Sequence, residues 1–451
     1  MSRANSRMTT AALVIGSFAV VMSATTINVA ITPMMRDFAI SHYLAQQFSS
    51  VFLGMTVVCA PLAAWVADRF GAWRVFACLL LLYVLVSVLA GFSDSLASML
   101  IARALQGLCA GIVQPLSLFL ILESALPGRQ GRTMSMFGLG VVMAPALGPT
   151  LAGFVVELVG WRYTFWLGVP PALIALGLVA WARPVDLRRP VASGRLDWPG
   201  LVLLAGLVAM VFAWPLLLAY SGGLAAVLVV AWLLLLALFW HQQGRSAEPL
   251  ITPKLFRYPR FLSGILVTLA YGIGMYGSMF LLPLLVQDGL GESAVITGNL
   301  MLLGGLALAL SIQLAGRLVD HFSPRLVVMI GLACFAFSCL LLALPASLEL
   351  IALGIVLGRI GLGMLIPSLY TAMVRAVPDE LLRRGTVVTS LLRQAGGALG
   401  ITLIGVLLSG LSAANLPGWS ALPAASGPYS VIFALLCLLF LWALWVSRRL
   451  D

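Results

Sequence analysis

The sequence predicts an all-α integral membrane protein, and three observations carry the prediction. Of 451 residues, 62% are hydrophobic and 9% charged, whereas soluble domains run to about 25% charged. The mean hydropathy is +1.09. The apolar residues gather in repeated runs of about 20, the length at which a helix crosses a hydrocarbon core of about 30 Å. Barrel strands alternate over about 10 residues, so a porin-type barrel is excluded.

Taken in order, apolar runs lie near 10–32, 45–66, 75–92, 97–122, 133–156 and 163–182. The first follows Arg3 and Arg7 but continues through Ser23 to Asn28 without a cleavage site, so it reads as a retained helix and not a signal peptide. An Arg-rich stretch, 183–197, interrupts the series. Runs 198–219 and 224–240 come next, separated by Ser221-Gly222-Gly223. After a polar break at 241–260, six more runs follow near 261–286, 295–316, 325–345, 350–374, 386–411 and 428–446. The expected organisation is fourteen spans as six, two and six. It comprises an N-terminal bundle (1–196), two inserted helices (197–243), a linker (244–260) and a C-terminal bundle (261–451).

An even span count puts both termini on one side, and cytoplasmic loops collect Lys and Arg. Of 26 basic residues, 25 Arg and Lys254, 21 fall on the side of the termini. Only Arg36 and Arg162 fall opposite, while Arg103, Arg359 and Arg393 belong to apolar runs. Both termini are therefore expected in the cytoplasm, and the net charge of +11 reads as topology, not as a nucleic-acid site. The six Cys residues lie in apolar runs with no CxxC pair and read as small buried hydrophobes.

The chain repeats itself. The loop Asp68-Arg69-Phe70-Gly71 to Arg74 is echoed at Asp320 to Arg325, an offset of 252, and Arg103 with Gly107 is echoed by Arg359 with Gly363, an offset of 256. Two similar offsets indicate duplicated parallel six-helix halves, a common transporter plan. An Asp beside Arg69 and Arg74 at a helix end can cap or pair. In a protein with two conformations it can act as a latch on one side.

An arginine at membrane depth costs about 2.5–3.5 kcal/mol on insertion scales, so one that stays faces a cavity or a partner. For Arg103 and Arg359, snorkelling at helix ends is an equal alternative; Arg393 lies deeper. Pro145, Gly148 and Pro149, with neighbouring small residues in span five, allow close packing or a hinge. Thr25 and Asn28, with Ser23 and Thr26, form a polar stripe in span one that suits either a cavity lining or interhelical contacts. Gln106, Tyr276 and Asn299 supply further polar and aromatic groups for a path. Glu123 and Glu157 are the only acids near membrane depth away from loops. There is no GxxxxGK[ST] loop, and His42, His241 and His321 offer no metal spacing, so neither a cofactor nor a metal is expected. No nucleophile and base fall at a convincing spacing for an enzyme.

These residues together resemble the major facilitator superfamily, in its fourteen-helix drug:proton antiporter branch. The resemblance runs along Asp68-Arg69-Phe70-Gly71, Arg103-Ala-Leu-Gln106-Gly107 and Ala144 to Gly153. It continues through Trp161-Arg162-Tyr-Thr-Phe165, Asp197-Trp-Pro-Gly200, Gln287 to Gly298 and Arg393-Gln394-Ala-Gly396-Gly397. It implies a monomer in a bacterial inner membrane that exports lipophilic small molecules by alternating access, exchanging them for protons. The branch usually has an Asp where this chain has Ser23, and that departure removes a proton carrier and a partner for cationic compounds. Neutral or anionic substrates gain weight, and Glu123 or Glu157 becomes the proton carrier by elimination. Uptake or facilitated diffusion of one solute, or a non-transporting sensor, are the competing readings.

Overall fold

The computed structural model describes residues 3–124, 130–182, 196–218, 222–344, 347–414 and 427–450. Among the described residues all regular structure is helical. The first set comprises α1 (Arg3–Phe38), a short α2 (His42–Ala45), α3 (Gln47–Cys59), α4 (Leu62–Phe70), α5 (Ala72–Gly91), α6 (Leu96–Ser124), α7 (Gln130–Leu158) and α8 (Val169–Ala182). Next come α9 (Trp198–Leu218) and α10 (Gly222–Arg245). The second set comprises α11 (Pro259–Leu284), α12 (Ala294–His321), α13 (Pro324–Ala343), α14 (Leu348–Arg375), α15 (Leu382–Ala414) and α16 (Gly427–Ser447).

A helix coincides with every apolar run of the sequence. By length and composition, eleven described helices can cross a membrane, or up to twelve if α3 and α4, bent by 58° at their junction, form one span. The stretches Met143–Leu158 of α7 and Trp198–Ala213 of α9 are shorter apolar helices. The α3–α4 bend falls at Pro61, which has no N–H to continue the ladder. The chain then turns into α5 through the single residue Gly71, whose φ of 90° lies in the region that favours glycine. Serine opens three helices of the second set. The hydroxyls of Ser293, Ser323 and Ser347 accept from Ile296 N, Leu326 N and Leu350 N, satisfying amides that the helix leaves unpaired.

Within the first set α1 packs on α6, α7 and α8, and α3 packs on α6. Within the second, α11 packs on α15, and α14 on α12 and α13. The sets meet along two seams, α7 against α12 and α3 against α15. The duplication is visible in packing. A Cβ on Gly107 would lie 2.3 Å from the Phe52 carbonyl oxygen, and one on Gly363 would lie 2.8 Å from that of Leu308. Both residue pairs are related by the same 256-residue offset. The α9–α10 pair flanks the α3–α15 seam, with α9 against both helices.

The Asp197-Trp-Pro-Gly200 motif anchors that pair. Asp197, buried, accepts from Gly200 N at 3.0 Å, Gln242 Nε2 at 3.0 Å and Gln243 Nε2 at 2.9 Å, and Gln243 in turn accepts from Ile251 N. Large apolar side chains such as Leu89, Trp181, Leu234, Leu310 and Leu438 stand exposed on the outside, a surface that suits lipid and not water. Cys59, Cys109, Cys339 and Cys437 are buried as expected, and Cys334 is half-buried. Cys78 is exposed on α5, because its helix face turns outward there.

Candidate functional site

Two clusters occupy the interiors of the two sets, and a bonded seam joins the sets. In the first set Arg103 is 0% exposed, so the snorkelling alternative is set aside. Its Nε donates to the Phe48 carbonyl at 2.7 Å, and its Nη1 to the Ser23 carbonyl at 3.1 Å, the Ser23 hydroxyl at 3.2 Å and Gln106 Oε1 at 2.8 Å. Its guanidinium lies 4.4 Å over the Phe52 ring, where the ring face attracts a cation. Gln106 passes the network on to Ser87, 2.9 Å away. Neutral oxygens and an aromatic face replace a counter-ion here, and Arg103 Nη2 has no partner.

In the second set Arg359 is also buried, against Gly304, and borders a void of about 10 Å³, too small for a substrate. Arg393 differs, being partly exposed. Its Nη1 donates to the Tyr276 hydroxyl at 3.3 Å. Gly272 meets the Arg393 carbonyl and Gly397 meets the Tyr276 ring, each so closely that a Cβ would sit within 2.3 Å. The glycines of Arg393-Gln394-Ala395-Gly396-Gly397 thus let α11 and α15 approach and seat Tyr276 beside the guanidinium. Among the described residues, no carboxylate lies in ion-pair reach of Arg103, Arg359 or Arg393.

Hydrogen bonds identified between the two sets gather at the end remote from the termini. Gln287 Nε2 donates to the Val29 carbonyl at 3.0 Å, and Thr150 Oγ1 to the Gly298 carbonyl at 2.9 Å. Thr402 bonds Ser50 at 3.2 Å. His42 meets Asp288 at 3.0 Å, and the same carboxylate oxygen accepts from the Tyr429 hydroxyl at 3.0 Å. Glu157 accepts from Val295 N at 3.3 Å, at the start of α12. The seam is made of small residues. Gly153 faces the Ala294 carbonyl, Gly298 the Pro149 carbonyl and Gly305 the Ala146 backbone. At the same end, Asp37 accepts from Trp161 Nε1 at 2.7 Å and Arg162 at 3.2 Å, which gives the Trp161-Arg162 motif its structural role.

The other residues singled out by sequence are distributed as follows. Thr25 and Asn28 are buried in this conformation and do not line open space. Thr25 bonds its own helix at Met22 and packs under Gly148, while Asn28 accepts from Ser49 at 2.9 Å. Asn299 is exposed near the start of α12, outside both clusters. Asp68, Arg69, Arg74 and Asp320 are exposed at the terminal end, with Arg69 5.7 Å over Trp65. Pro145 and Pro149 lie inside α7, where each removes an amide from the ladder. The Glu123 side chain lies outside the described residues. Sequence reasoning missed Phe52, Ser50, Thr402, Asp288 and Tyr429. His42 stood out only as a poor metal ligand, and nothing in the chain order connects it to an Asp 246 residues away.

The model of the Major Facilitator Superfamily matches residues 13–200, 199–401 and 265–450. The chain is 33% identical over 424 residues to the puromycin resistance protein pur8 of Streptomyces alboniger, covering 90% of this chain and 82% of that protein. It is 29% identical over 398 residues to a multidrug resistance protein B homolog of Mycobacterium tuberculosis (strain ATCC 25618 / H37Rv), covering 85% and 73%. Against the lincomycin resistance protein LmrB of Bacillus subtilis, identity is 26% over 398 residues, covering 86% and 82%. Among solved structures, a bacterial homolog of the human lysosomal transporter Spinster, in an inward-facing and occupied conformation, matches with a TM-score of 0.71. That match has 15% identity and covers 100% of this chain and 97% of that one, a likeness of fold.

Proposed function

Because the chain belongs to the Major Facilitator Superfamily, we propose that this multi-pass membrane carrier exports lipophilic small molecules by alternating access, driven by inward movement of protons. The observation that carries the reading is the seam. Two duplicated helix sets are joined by small-residue contacts and single hydrogen bonds gathered at one end, where a rocking motion can break them without disturbing either core. The resistance proteins among its relatives support outward transport of small molecules. In this reading the chain is a monomer with fourteen spans in a bacterial inner membrane. Both termini are cytoplasmic, and the two bundles, 1–196 and 261–451, are separated by the inserted pair and linker.

In this reading Glu157 is the proton-coupling group, supported by its exposed carboxylate's bond to Val295 N across the seam. Protonation weakens that acceptor and loosens the end that must open. One proton entering down 100 mV supplies about 2.3 kcal/mol, enough to bias such a cycle. The test is proton flux into dye-loaded proteoliposomes under an imposed gradient, on addition of a panel of lipophilic compounds. Wild type is expected to show substrate-dependent flux, and Glu157→Gln to lose it while retaining labelled-substrate counterflow. Unchanged flux in Glu157→Gln removes its coupling role. Counterflow without proton flux in wild type indicates a facilitator.

A further inference from the structure

We propose that Arg393, Tyr276 and Tyr370 form the recognition point for a carboxylate, or a similar monoanionic group, on the transported compound. The inference rests on the export reading and adds the substrate's charge to it.

The three membrane-depth arginines are not equivalent. Arg103 is fully enclosed, with Nε and Nη1 spent on Phe48, Ser23 and Gln106. Arg359 is buried at 4% exposure. Arg393 is partly exposed, and so are Tyr276 and Tyr370, where α11, α14 and α15 converge. Its one described side-chain bond, to Tyr276, is 3.3 Å long, whereas charge-assisted bonds run to about 2.7–2.9 Å. A guanidinium has five N–H donors, so most of this cation's capacity is unused. Tyr271 and Tyr370 stand within electrostatic range of it, and Tyr271 is turned away, donating to Met275 Sδ at 3.0 Å.

The unused donors sit where α11, α14 and α15 of one set pack against one another. Nothing charged competes for them, since no described carboxylate is in reach. The planar guanidinium can take a carboxylate in two parallel bonds, while the tyrosine rings provide apolar walls and hydroxyls that can donate to the same group. A cationic compound placed here would face an uncompensated positive charge at short range. The direction of transport agrees with this selection. An anion leaving a cell that is negative inside gains about 2.3 kcal/mol per 100 mV.

The test is equilibrium binding of radiolabelled naphthoate, naphthamide and naphthylmethylammonium, together with several further acid–amide pairs on other lipophilic scaffolds, to the purified full chain in detergent. Acids are expected to bind at least about tenfold tighter than their amides, the worth of one charge-assisted bond. In Arg393→Gln the advantage should fall below about twofold with amide binding retained, and Tyr276→Phe should reduce it severalfold. Arg393→Lys keeps the charge and should keep a preference for acids; if Arg393→Gln no longer binds the amide, this variant decides. Amide or ammonium binding as tight as the acid, an acid advantage that survives Arg393→Gln, or no pair that discriminates would each overturn the proposal. Counterflow of the same compounds separates the two readings. Equal counterflow of all charge classes leaves export standing and removes the anion site. Preferential binding of acids without counterflow keeps the site and removes export.

Discussion

A single buried cation shows how this protein stabilises charge without a counter-charge. Arg103 is held by the carbonyls of Phe48 and Ser23, the Gln106 amide and the face of Phe52. Lysine cannot reproduce this, because an ammonium lacks the planar fork that reaches Phe48 and Gln106 together. Arg103→Lys is therefore expected to destabilise the protein by about 1–3 kcal/mol, read as a lower midpoint of thermal unfolding in detergent. Asp197 illustrates the opposite sign. It caps α9 and accepts from Gln242 and Gln243 at the end of α10, so Asp197→Ala removes three bonds from one buried carboxylate. The cap alone is worth about 0.5–2 kcal/mol. The same unfolding assay should show at least that loss, with Asp197→Asn intermediate because one acceptor oxygen remains.

At the scale of helices, glycine does two different jobs. Gly107 and Gly363 bring α6 onto α3 and α14 onto α12 inside one set, against backbone carbonyls that cannot move aside. Alanine at either position must push the helices apart in every conformation, so Gly107→Ala and Gly363→Ala should each cost about 1–3 kcal/mol of stability. Gly305 meets the Ala146 backbone across the seam between sets, where a Cβ would lie 2.3 Å from Ala146 Cα. In the alternating-access reading proposed above, that contact is made only while this end is closed. Gly305→Ala is thus expected to leave the unfolding midpoint nearly unchanged and to shift the population toward the open end. Thr402→Cys, placed where Thr402 bonds Ser50, should react faster with a membrane-impermeant maleimide when combined with Gly305→Ala, in a background with the native cysteines replaced. Equal labelling rates would show that the seam does not govern access.

For the whole molecule, the distribution of charge predicts orientation, and the packing of the seam predicts where it opens. The concentration of Arg on the side of the termini predicts their cytoplasmic placement. Cysteine introduced at Lys254 should react with an impermeant maleimide only after cells are permeabilised, and cysteine at Glu292 should react in intact cells. The reverse pattern would invert the orientation and with it the direction in which the bonded seam faces. The bonds at that seam are few and individually weak, about 0.5–1.5 kcal/mol each, which suits the alternating opening proposed above.

The number and order of apolar runs, the duplication and the excess of Arg on one side were legible in the sequence, because each depends on local composition, and a bilayer leaves helices as the form those runs can take. The spacing of Arg103 with Gly107 and of Arg359 with Gly363 showed the repeat, while the carbonyls those glycines pack against became visible only in the structure. Partnerships across long chain separations were not legible. Ser23 with Arg103, His42 with Asp288 and Gln287 with Val29 are brought together by helix crossing angles, which single residues do not encode. Nor could the sequence distinguish three similar arginines. Tertiary packing decided that Arg103 and Arg359 are enclosed and that Arg393 is partly exposed, because burial depends on which neighbour occupies the same space and not on depth along one helix.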